Sequence, residues 1–235
     1  MRFLGKYFSG SPTLVRVAPF IIFVLLTAAQ GKLGEDSRYW LYLAKTIVGI
    51  WLLWEMWPYV KEMRWAFSWE AVVVGVGVFA VWVGITGSWA TQDSVWVKLG
   101  ISHAPAVTPK PWNPLVQFGG NASLAWLFIV VRILGSTFVV PPLEEAFYRS
   151  FLYRYIAKPD FMSVPLNQFL PKPFVATALI FGLSHNEWIA GIFCGLAYQW
   201  LVIRKNRLGD AMTAHAITNF LLGCWVVWRG AWNFW

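Results

Sequence analysis

The sequence has 235 residues, of which 58% are apolar and 13% are charged. A soluble domain carries about 25% charged residues, so this composition argues against both a disordered chain and an ordinary soluble enzyme. The net charge is +8, but the basic residues form no single tract among aromatic residues, which argues against nucleic-acid binding. Seventeen tryptophans favour a membrane protein, because indole rings are enriched at membrane–water interfaces.

Seven apolar segments are candidates for membrane-spanning helices, which need about 20 residues each. We therefore predict an all-α, polytopic transmembrane helical bundle of about seven to eight spans. The sixth segment can be either a full span or partly re-entrant. In chain order the segments are 14–30, 39–57, 70–87, 122–143, 174–186, 188–203 and 210–228.

Two proline-rich stretches separate the apolar segments. The stretch 88–121 is the one long loop, and its prolines and glycines prevent a continuous helix. We place it outside the membrane as an extracytoplasmic cap, and we assign 158–173 to an inner linker. The chain then divides into N-terminal transmembrane helices with the cap loop (1–121) and a C-terminal core (122–235).

The distribution of basic residues predicts the orientation. Cytoplasmic loops of membrane proteins are rich in Lys and Arg, and an N-terminus in the cytoplasm puts 11 such residues inside and five outside. We therefore predict a multi-pass protein with a cytoplasmic N-terminus and an external C-terminus, and we expect it in the bacterial inner membrane. The inside residues are Arg2, Lys6, Arg16, Lys61, Arg64, Arg154, Lys158, Lys172, Arg204, Lys205 and Arg207; the outside ones are Lys32, Arg38, Lys98, Lys110 and Arg229.

Three clusters of polar residues interrupt the apolar segments. An ionisable residue inside a membrane helix costs roughly 2.5–3.5 kcal/mol, so each one is a candidate functional residue. The clusters comprise Glu144, Glu145 and Arg149; Phe181 and His185; and His215 and Asn219.

Helical spacing indicates how these residues are arranged. Positions four apart share one face of a helix, so Glu145 can pair with Arg149. Glu144 is rotated from Glu145 by about 100° and lacks that partner. The same spacing lets the ring of Phe181 limit the rotation of His185.

The depths of the three clusters in the membrane are similar. His215 and Asn219 are also four apart and can face one cavity. With a rise of about 1.5 Å per residue, His215 lies about 8 Å, Glu144 about 15 Å and His185 about 17 Å from the cytoplasmic face. Three distant segments thus predict one polar catalytic cavity within the membrane.

A carboxylate in an apolar cavity accepts a proton readily, as a general base must. Glu144 can remove a proton from a water molecule that His185 also holds. His215 and Asn219 can then donate hydrogen bonds to the oxyanion that forms when this water attacks an amide carbonyl.

The same residues allow a second mechanism. Glu144, His185 and His215 form a possible Zn²⁺ ligand set with an open position for water. The chain has no His-Glu-x-x-His motif. We therefore favour a metal-free enzyme without a cofactor and keep a Zn²⁺ enzyme as the alternative.

Most other ionisable residues are assigned to interfaces or loops. Glu187 is the exception, because it lies two residues after His185 and can reach the site or face water. The residues assigned to interfaces or loops are Lys45, Glu55, Glu70, Asp93, His103 and Arg132.

The three clusters resemble the three motifs of the CPBP family, the CAAX protease and bacteriocin-processing group of intramembrane endopeptidases. The resemblance covers about 141–225. Its motifs are Glu-Glu-x-x-x-Arg at Glu144, Glu145 and Arg149, Phe-x-x-x-His at Phe181 and His185, and His-x-x-x-Asn at His215 and Asn219.

This resemblance implies an all-helical membrane endopeptidase that cuts near the C-terminus of its substrate. It implies Glu144 as the base that activates water and His185 beside it, with His215 and Asn219 stabilising the oxyanion. Glu145 and Arg149 would then support the site. The implied partners are membrane lipid and a protein or peptide substrate, lipidated in the branch that cuts prenylated CAAX proteins.

Two other functions stay open. One is a non-catalytic immunity or scaffold protein, in which the polar residues only hold helices together. The other is a proton-coupled transporter, because transporters also use Glu and His within the membrane.

Overall fold

The computed structural model of the protein describes residues 2–85, 91, 96–101 and 110–235. Regular secondary structure in these residues is helical throughout, which confirms the predicted all-α class. The α-helices are α1 Gly5–Phe8, α2 Pro12–Ala28, α3 Ser37–Met56, α4 Trp69–Gly84, α5 Pro114–Gln117, α6 Ala122–Phe138, α7 Val140–Glu145, α8 Tyr153–Ala157, α9 Pro171–Leu183, α10 Trp188–Lys205 and α11 Gly209–Arg229.

The helices follow the predicted segments closely, but the number of spans is not confirmed. Among the described residues, two helical stretches are long and apolar enough to cross a membrane: Ala122–Ala157 and Gly209–Arg229. Three further apolar helices, α2, α4 and α9, are shorter. The predicted segment 122–143 is too short, because helical structure continues to Ala157.

The long helical stretch Ala122–Ala157 changes its hydrogen-bond pattern on both sides of the two glutamates. Pro141 and Pro142 have no N–H to donate to the preceding turn, and α6 ends before them at Phe138. Directly after Glu145, residues Ala146–Leu152 form a π-helix. π-Helical segments are rare in proteins as a whole, but those that occur are often found at functional sites. An α-helix turns by about 100° per residue, and the π-helix Ala146–Leu152 does not follow this rotation.

The described residues group into two compact units. The first comprises Met1–Arg64, Pro111–Phe147 and Asn219–Trp235, and the second comprises Trp65–Lys110 and Tyr148–Thr218. The boundaries between the units fall inside two helical stretches, at 147/148 and at 218/219. The division of the chain at residue 121 stays a prediction.

The first unit has an aromatic core that includes the described end of the predicted cap loop. Gln117 Nε2 donates a hydrogen bond to Asp36 Oδ1 at 2.6 Å, which ties this part of the loop to the start of α3. Both segments belong to the same side in the predicted topology. The core residues are Tyr39, Tyr42, Trp112 and Phe128.

Two charged residues that we assigned to interfaces are buried, so that assignment was wrong. The Lys45 side chain is 5% exposed and Glu55 is fully buried. The carboxylate of Glu55 accepts hydrogen bonds from the backbone N–H groups of Phe3 and Leu4, each at 3.0 Å. These two hydrogen bonds compensate for the loss of water around the buried carboxylate of Glu55 and satisfy two backbone N–H groups near the N-terminus.

The other ionisable residues that we assigned to interfaces or loops have different surroundings. The guanidinium of Arg132 lies 4.4 Å from the ring centroid of Trp112. Glu70 is partly exposed, and it accepts a hydrogen bond from Lys205 Nζ at 2.6 Å. Asp93 and His103 lie outside the described residues.

In the second unit, helices α9 and α10 approach each other so closely that a glycine is required. A Cβ atom at Gly182 would lie 2.4 Å from Cγ1 of Ile192 and 2.7 Å from the backbone oxygen of Trp188. Both distances are too short for real contacts. Gly182 therefore sets the separation of these two helices.

We expect Gly182→Ala to lower the free energy of unfolding by about 1–3 kcal/mol, because the added methyl overpacks the helix contact. Gly77→Ala is the matched control, because a Cβ at Gly77 in α4 would meet no described atom within 4 Å. It should leave stability unchanged or raise it by about 0.5–1 kcal/mol. Unfolding of both purified variants in detergent tests this, and equal stability would contradict the tight packing at Gly182.

Candidate active site

The buried ring of Phe181 brings three of the predicted site residues together in the second unit. The guanidinium of Arg149 lies 4.4 Å from the centroid of this ring, where the ring face attracts a cation. The ring centroids of His185 and His215 lie 4.6 Å and 6.3 Å from it. We expected Phe181 to limit the rotation of His185, and the structure makes it a common support for all three side chains.

The imidazole of His185 is held in a defined orientation. His185 follows the end of α9 at Leu183 and lies in a turn. Its Nδ1 atom is 2.8 Å from the backbone oxygen of Phe181. A carbonyl oxygen can only accept, so we assign the proton to Nδ1. In the neutral ring, Nε2 is then an unprotonated acceptor that can bind water.

Two hydroxyl groups that sequence reasoning missed also support this turn. Tyr148 Oη donates to Ser184 Oγ at 3.1 Å, and Ser184 Oγ donates to the backbone oxygen of Phe181 at 2.7 Å. Their positions in the sequence could have indicated this role, because Tyr148 directly precedes Arg149 and Ser184 directly precedes His185.

His215 is buried against a second aromatic residue that the sequence did not single out. Its ring stacks on Tyr198 with the centroids 5.1 Å apart. Tyr198 Oη donates to Thr218 Oγ1 at 2.7 Å, and Thr218 Oγ1 donates to the backbone oxygen of Gly75 at 2.8 Å. Helices α4, α10 and α11 thus fix Tyr198 and, through it, the plane of His215.

The first unit contains both glutamates and the asparagine. Glu145 is fully buried, whereas Glu144 is partly exposed. Glu144 Oε2 is buried and has no hydrogen-bond partner among the described residues. Asn219 Nδ2 donates to the backbone oxygen of Ser136 at 2.8 Å, which uses one of the two N–H groups of the amide.

The predicted site residues are therefore divided between the two units. The pairing of Glu145 with Arg149 and the common cavity stay predictions. Glu187 accepts a hydrogen bond from Asn186 Nδ2 at 3.5 Å, and its role in the site also stays a prediction. The first unit holds Glu144, Glu145 and Asn219, and the second holds Arg149, Phe181, His185 and His215.

The chemistry of His185 fits a metal ligand as well as a water ligand. Histidines that bind metals usually donate their second ring N–H to a carbonyl or carboxylate, and Nδ1 of His185 makes such a bond. Within the described ranges, no three His, Cys, Asp or Glu side chains cluster as a metal site requires.

We expect Phe181→Ala to destabilise the protein by about 3–5 kcal/mol, as truncation of a fully buried Phe does. Phe181 is 1% exposed, whereas Phe193 in α10 is 53% exposed. Phe193→Ala is therefore the matched control and should have a much smaller effect. Thermal unfolding of the purified variants measures both changes, and similar losses would show that Phe181 is not a central support.

Residues 125–221 match a family model described as type II CAAX prenyl endopeptidase, Rce1-like. Comparisons with curated proteins and with solved structures gave no match. The matched range contains every residue of the three motifs, which confirms the resemblance to the CPBP and CAAX endopeptidases. This is a family of membrane-embedded proteases. Residues 125–221 thus resemble the Rce1-like type II CAAX prenyl endopeptidase family.

Proposed function

We propose that the chain is an intramembrane endopeptidase that uses Glu144 to activate water. The observation that carries the proposal is the 2.8 Å distance between His185 Nδ1 and the backbone oxygen of Phe181, from which we assign the tautomer of His185. An unprotonated Nε2 can accept a hydrogen bond from water and orient it. The family match over residues 125–221 supports peptide-bond hydrolysis as the reaction.

In this mechanism, Glu144 takes a proton from the water molecule while the water oxygen attacks the carbonyl carbon of the scissile peptide. Glu144 is partly exposed, and in this mechanism water reaches its carboxylate. The oxyanion that forms accepts hydrogen bonds from His215 and from the second N–H of Asn219. The C–N bond then breaks, and the proton held by Glu144 passes to the leaving nitrogen.

Glu145 and Arg149 support the site and do not touch the reacting atoms in this proposal. Both side chains are fully buried, and the π-helix Ala146–Leu152 begins between them. The contact of Arg149 with Phe181 links this segment to the ring that also holds His185. This grouping of catalytic and supporting residues rests on the motif order and the family match.

We further propose that the substrate is a membrane-associated protein or peptide that is cut near its C-terminus. The matching family is described as a CAAX prenyl endopeptidase, so a prenylated CAAX peptide is the first probe to use. Lipid is the second partner, because many large apolar side chains are exposed and a lipid environment covers such surfaces.

The proposed topology is multi-pass with the N-terminus in the cytoplasm. Helix α9 has 13 residues and is therefore about 20 Å long, shorter than the hydrocarbon core of about 30 Å. With Pro171 at the cytoplasmic surface, the turn that carries His185 would end inside the membrane. Irregular backbone at that depth is tolerated where it lines a cavity.

We expect Glu144→Gln to reduce cleavage of a prenylated CAAX peptide by about 10²–10⁴-fold, the usual contribution of a general base. His185→Ala should have a comparable effect, because both groups hold the attacking water. Cleavage is measured by mass spectrometry of the peptide after incubation with purified protein in detergent.

Glu35→Gln is the matched control, since Glu35 is exposed and lies outside the motifs. It should cleave as the wild type does. Undiminished cleavage by Glu144→Gln would contradict the mechanism. A wild-type protein that cleaves a C-terminal peptide without a prenyl group but not the prenylated one would contradict the prenylated substrate.

We also expect cleavage to persist after dialysis against a metal chelator, because the proposed steps use only residues of this chain. The peptide assay measures this directly on the purified protein. Complete loss of cleavage that added Zn²⁺ restores would favour the Zn²⁺ enzyme over the metal-free mechanism.

A further inference from the structure

We propose that Tyr148 and Ser184 are positioning residues for His185, and that their hydroxyl groups together keep the imidazole proton on Nδ1. The Nε2 atom is then the acceptor for the attacking water. This inference rests on the proposed function, in which His185 holds that water. Neither Tyr148 nor Ser184 is a residue of the three motifs, although both lie within the matched range 125–221.

Four polar atoms form a chain of short contacts around the turn that follows α9. The backbone oxygen of Phe181 is 2.7 Å from Ser184 Oγ and 2.8 Å from His185 Nδ1. Ser184 Oγ is also 3.2 Å from His185 Nδ1 and 3.1 Å from Tyr148 Oη. All four residues belong to the second unit. The hydroxyl of Tyr148 thus reaches the imidazole through a single intermediate, Ser184.

The number of available protons determines the direction of each hydrogen bond. A carbonyl oxygen has two lone pairs and can only accept, so Ser184 Oγ and His185 Nδ1 both donate to Phe181. A serine hydroxyl has one proton, which is then already used, so Ser184 Oγ accepts from Tyr148 Oη. In the opposite tautomer, the lone pair of Nδ1 would face two oxygen atoms. Ser184 could donate to it only by giving up its bond to Phe181.

Tyr148 is the buried anchor of this chain of hydrogen bonds. Ser184 is exposed, so water competes for its hydroxyl group. Tyr148 is only 3% exposed, and its ring packs edge-on against Phe181 with the centroids 4.9 Å apart. A hydroxyl group that already accepts a hydrogen bond is also a stronger donor. Tyr148 therefore orients Ser184, and Ser184 in turn orients the proton of His185.

Aromatic contacts determine the plane of the imidazole separately from these hydroxyl groups. The centroid of the His185 ring lies 4.6 Å from that of Phe181 and 5.5 Å from that of Trp82 in α4. Substitutions that remove only a hydroxyl oxygen leave both ring contacts in place. Their effects therefore report on the position of the proton of His185 and not on the packing of its ring.

NMR of ¹⁵N-histidine-labelled protein tests the proposal without any substrate. The variants are Tyr148→Phe and Ser184→Ala, at a pH of about 8.5, where an ordinary imidazole is neutral. Dialysis against a chelator ensures that no metal determines the tautomer. The chain has three histidines, and His185→Ala identifies the signals of His185.

In the wild type we expect the proton of His185 on Nδ1. In each variant the shifts of its Nδ1 and Nε2 atoms should move toward each other, because both tautomers become populated. Unchanged shifts in both variants would overturn the proposal. Because Ser184 is exposed, Ser184→Ala decides the question if Tyr148→Phe does not fold.

The chain offers a matched control for each substitution. Ser163 Oγ donates to the backbone oxygen of Asp160 at 2.7 Å, three residues earlier, as Ser184 does to Phe181. Tyr155 is 47% exposed. We expect Ser163→Ala and Tyr155→Phe to leave the signals of His185 and kcat unchanged. Ser184→Thr keeps the hydroxyl group and should retain the wild-type signals. Equally large shifts in the controls would contradict a specific role.

Kinetics provide a second measurement that a purely structural role would not reproduce. We expect Tyr148→Phe to lower kcat for the prenylated CAAX peptide by about 3- to 10-fold, the rate equivalent of one hydrogen bond, with KM nearly unchanged. Ser184→Ala should lower kcat at least as much. Because Tyr148 acts through Ser184, the double variant should be no slower than Ser184→Ala alone. Wild-type kcat in Ser184→Ala, or effects that multiply in the double variant, would contradict this pathway.

The two proposals fail in different ways. If His185→Ala cleaves the peptide as the wild type does, His185 does not hold the attacking water, and the NMR shifts still decide whether the hydroxyl groups determine its tautomer. If Glu144→Gln and His185→Ala are inactive while Tyr148→Phe and Ser184→Ala keep the wild-type shifts and kcat, the mechanism stands and the role of the two hydroxyl groups is wrong.

Discussion

A charged side chain inside an apolar helical protein is stable only where another charge, a hydrogen bond or a ring face replaces water. Much of this structure follows from that constraint. Glu55 receives two backbone N–H groups, and Arg16 Nη2 lies 2.6 Å from Glu62 Oε1. Arg149 lies over the ring of Phe181. Charged residues make up only 13% of the chain, and buried ones such as Glu55 and Arg16 lie where segments distant in sequence meet.

The same constraint shapes the candidate active site. The ring of Phe181 lies next to the guanidinium of Arg149 and to the imidazoles of His185 and His215, so one apolar ring supports three polar groups. The carbonyl oxygen of this residue accepts a hydrogen bond from the Nδ1–H group of His185 in the tautomer that we assign. The π-helix that follows the two glutamates changes the direction of the next side chains relative to an ordinary α-helix. Local backbone geometry and aromatic packing thus orient the side chains of the motif residues.

The sequence predicted the helices and the polar clusters because both are local patterns. Apolar runs located most helices within a few residues but ended the segment 122–143 before Ala157, and the rarity of charged residues made Glu144, His185 and His215 conspicuous. The burial of Lys45 and Glu55 could not be predicted, because it depends on which helices pack together and not on the residues next to them. The π-helix was also missed, since hydropathy does not report the hydrogen-bond pattern. Pro141 and Pro142 were the available sign that the helix changes there.

The central claim is that this chain hydrolyses a peptide bond and that Glu144 activates the water. Substrate trapping in native membranes tests it most directly, without a choice of peptide in advance. Membranes that contain the wild type or the Glu144→Gln variant are compared by mass spectrometry of the C-terminal peptides of their proteins. We predict that at least one membrane-associated protein or peptide is shortened near its C-terminus with the wild type and stays intact, bound to the variant. Identical C-terminal peptides in the two membranes would contradict the account.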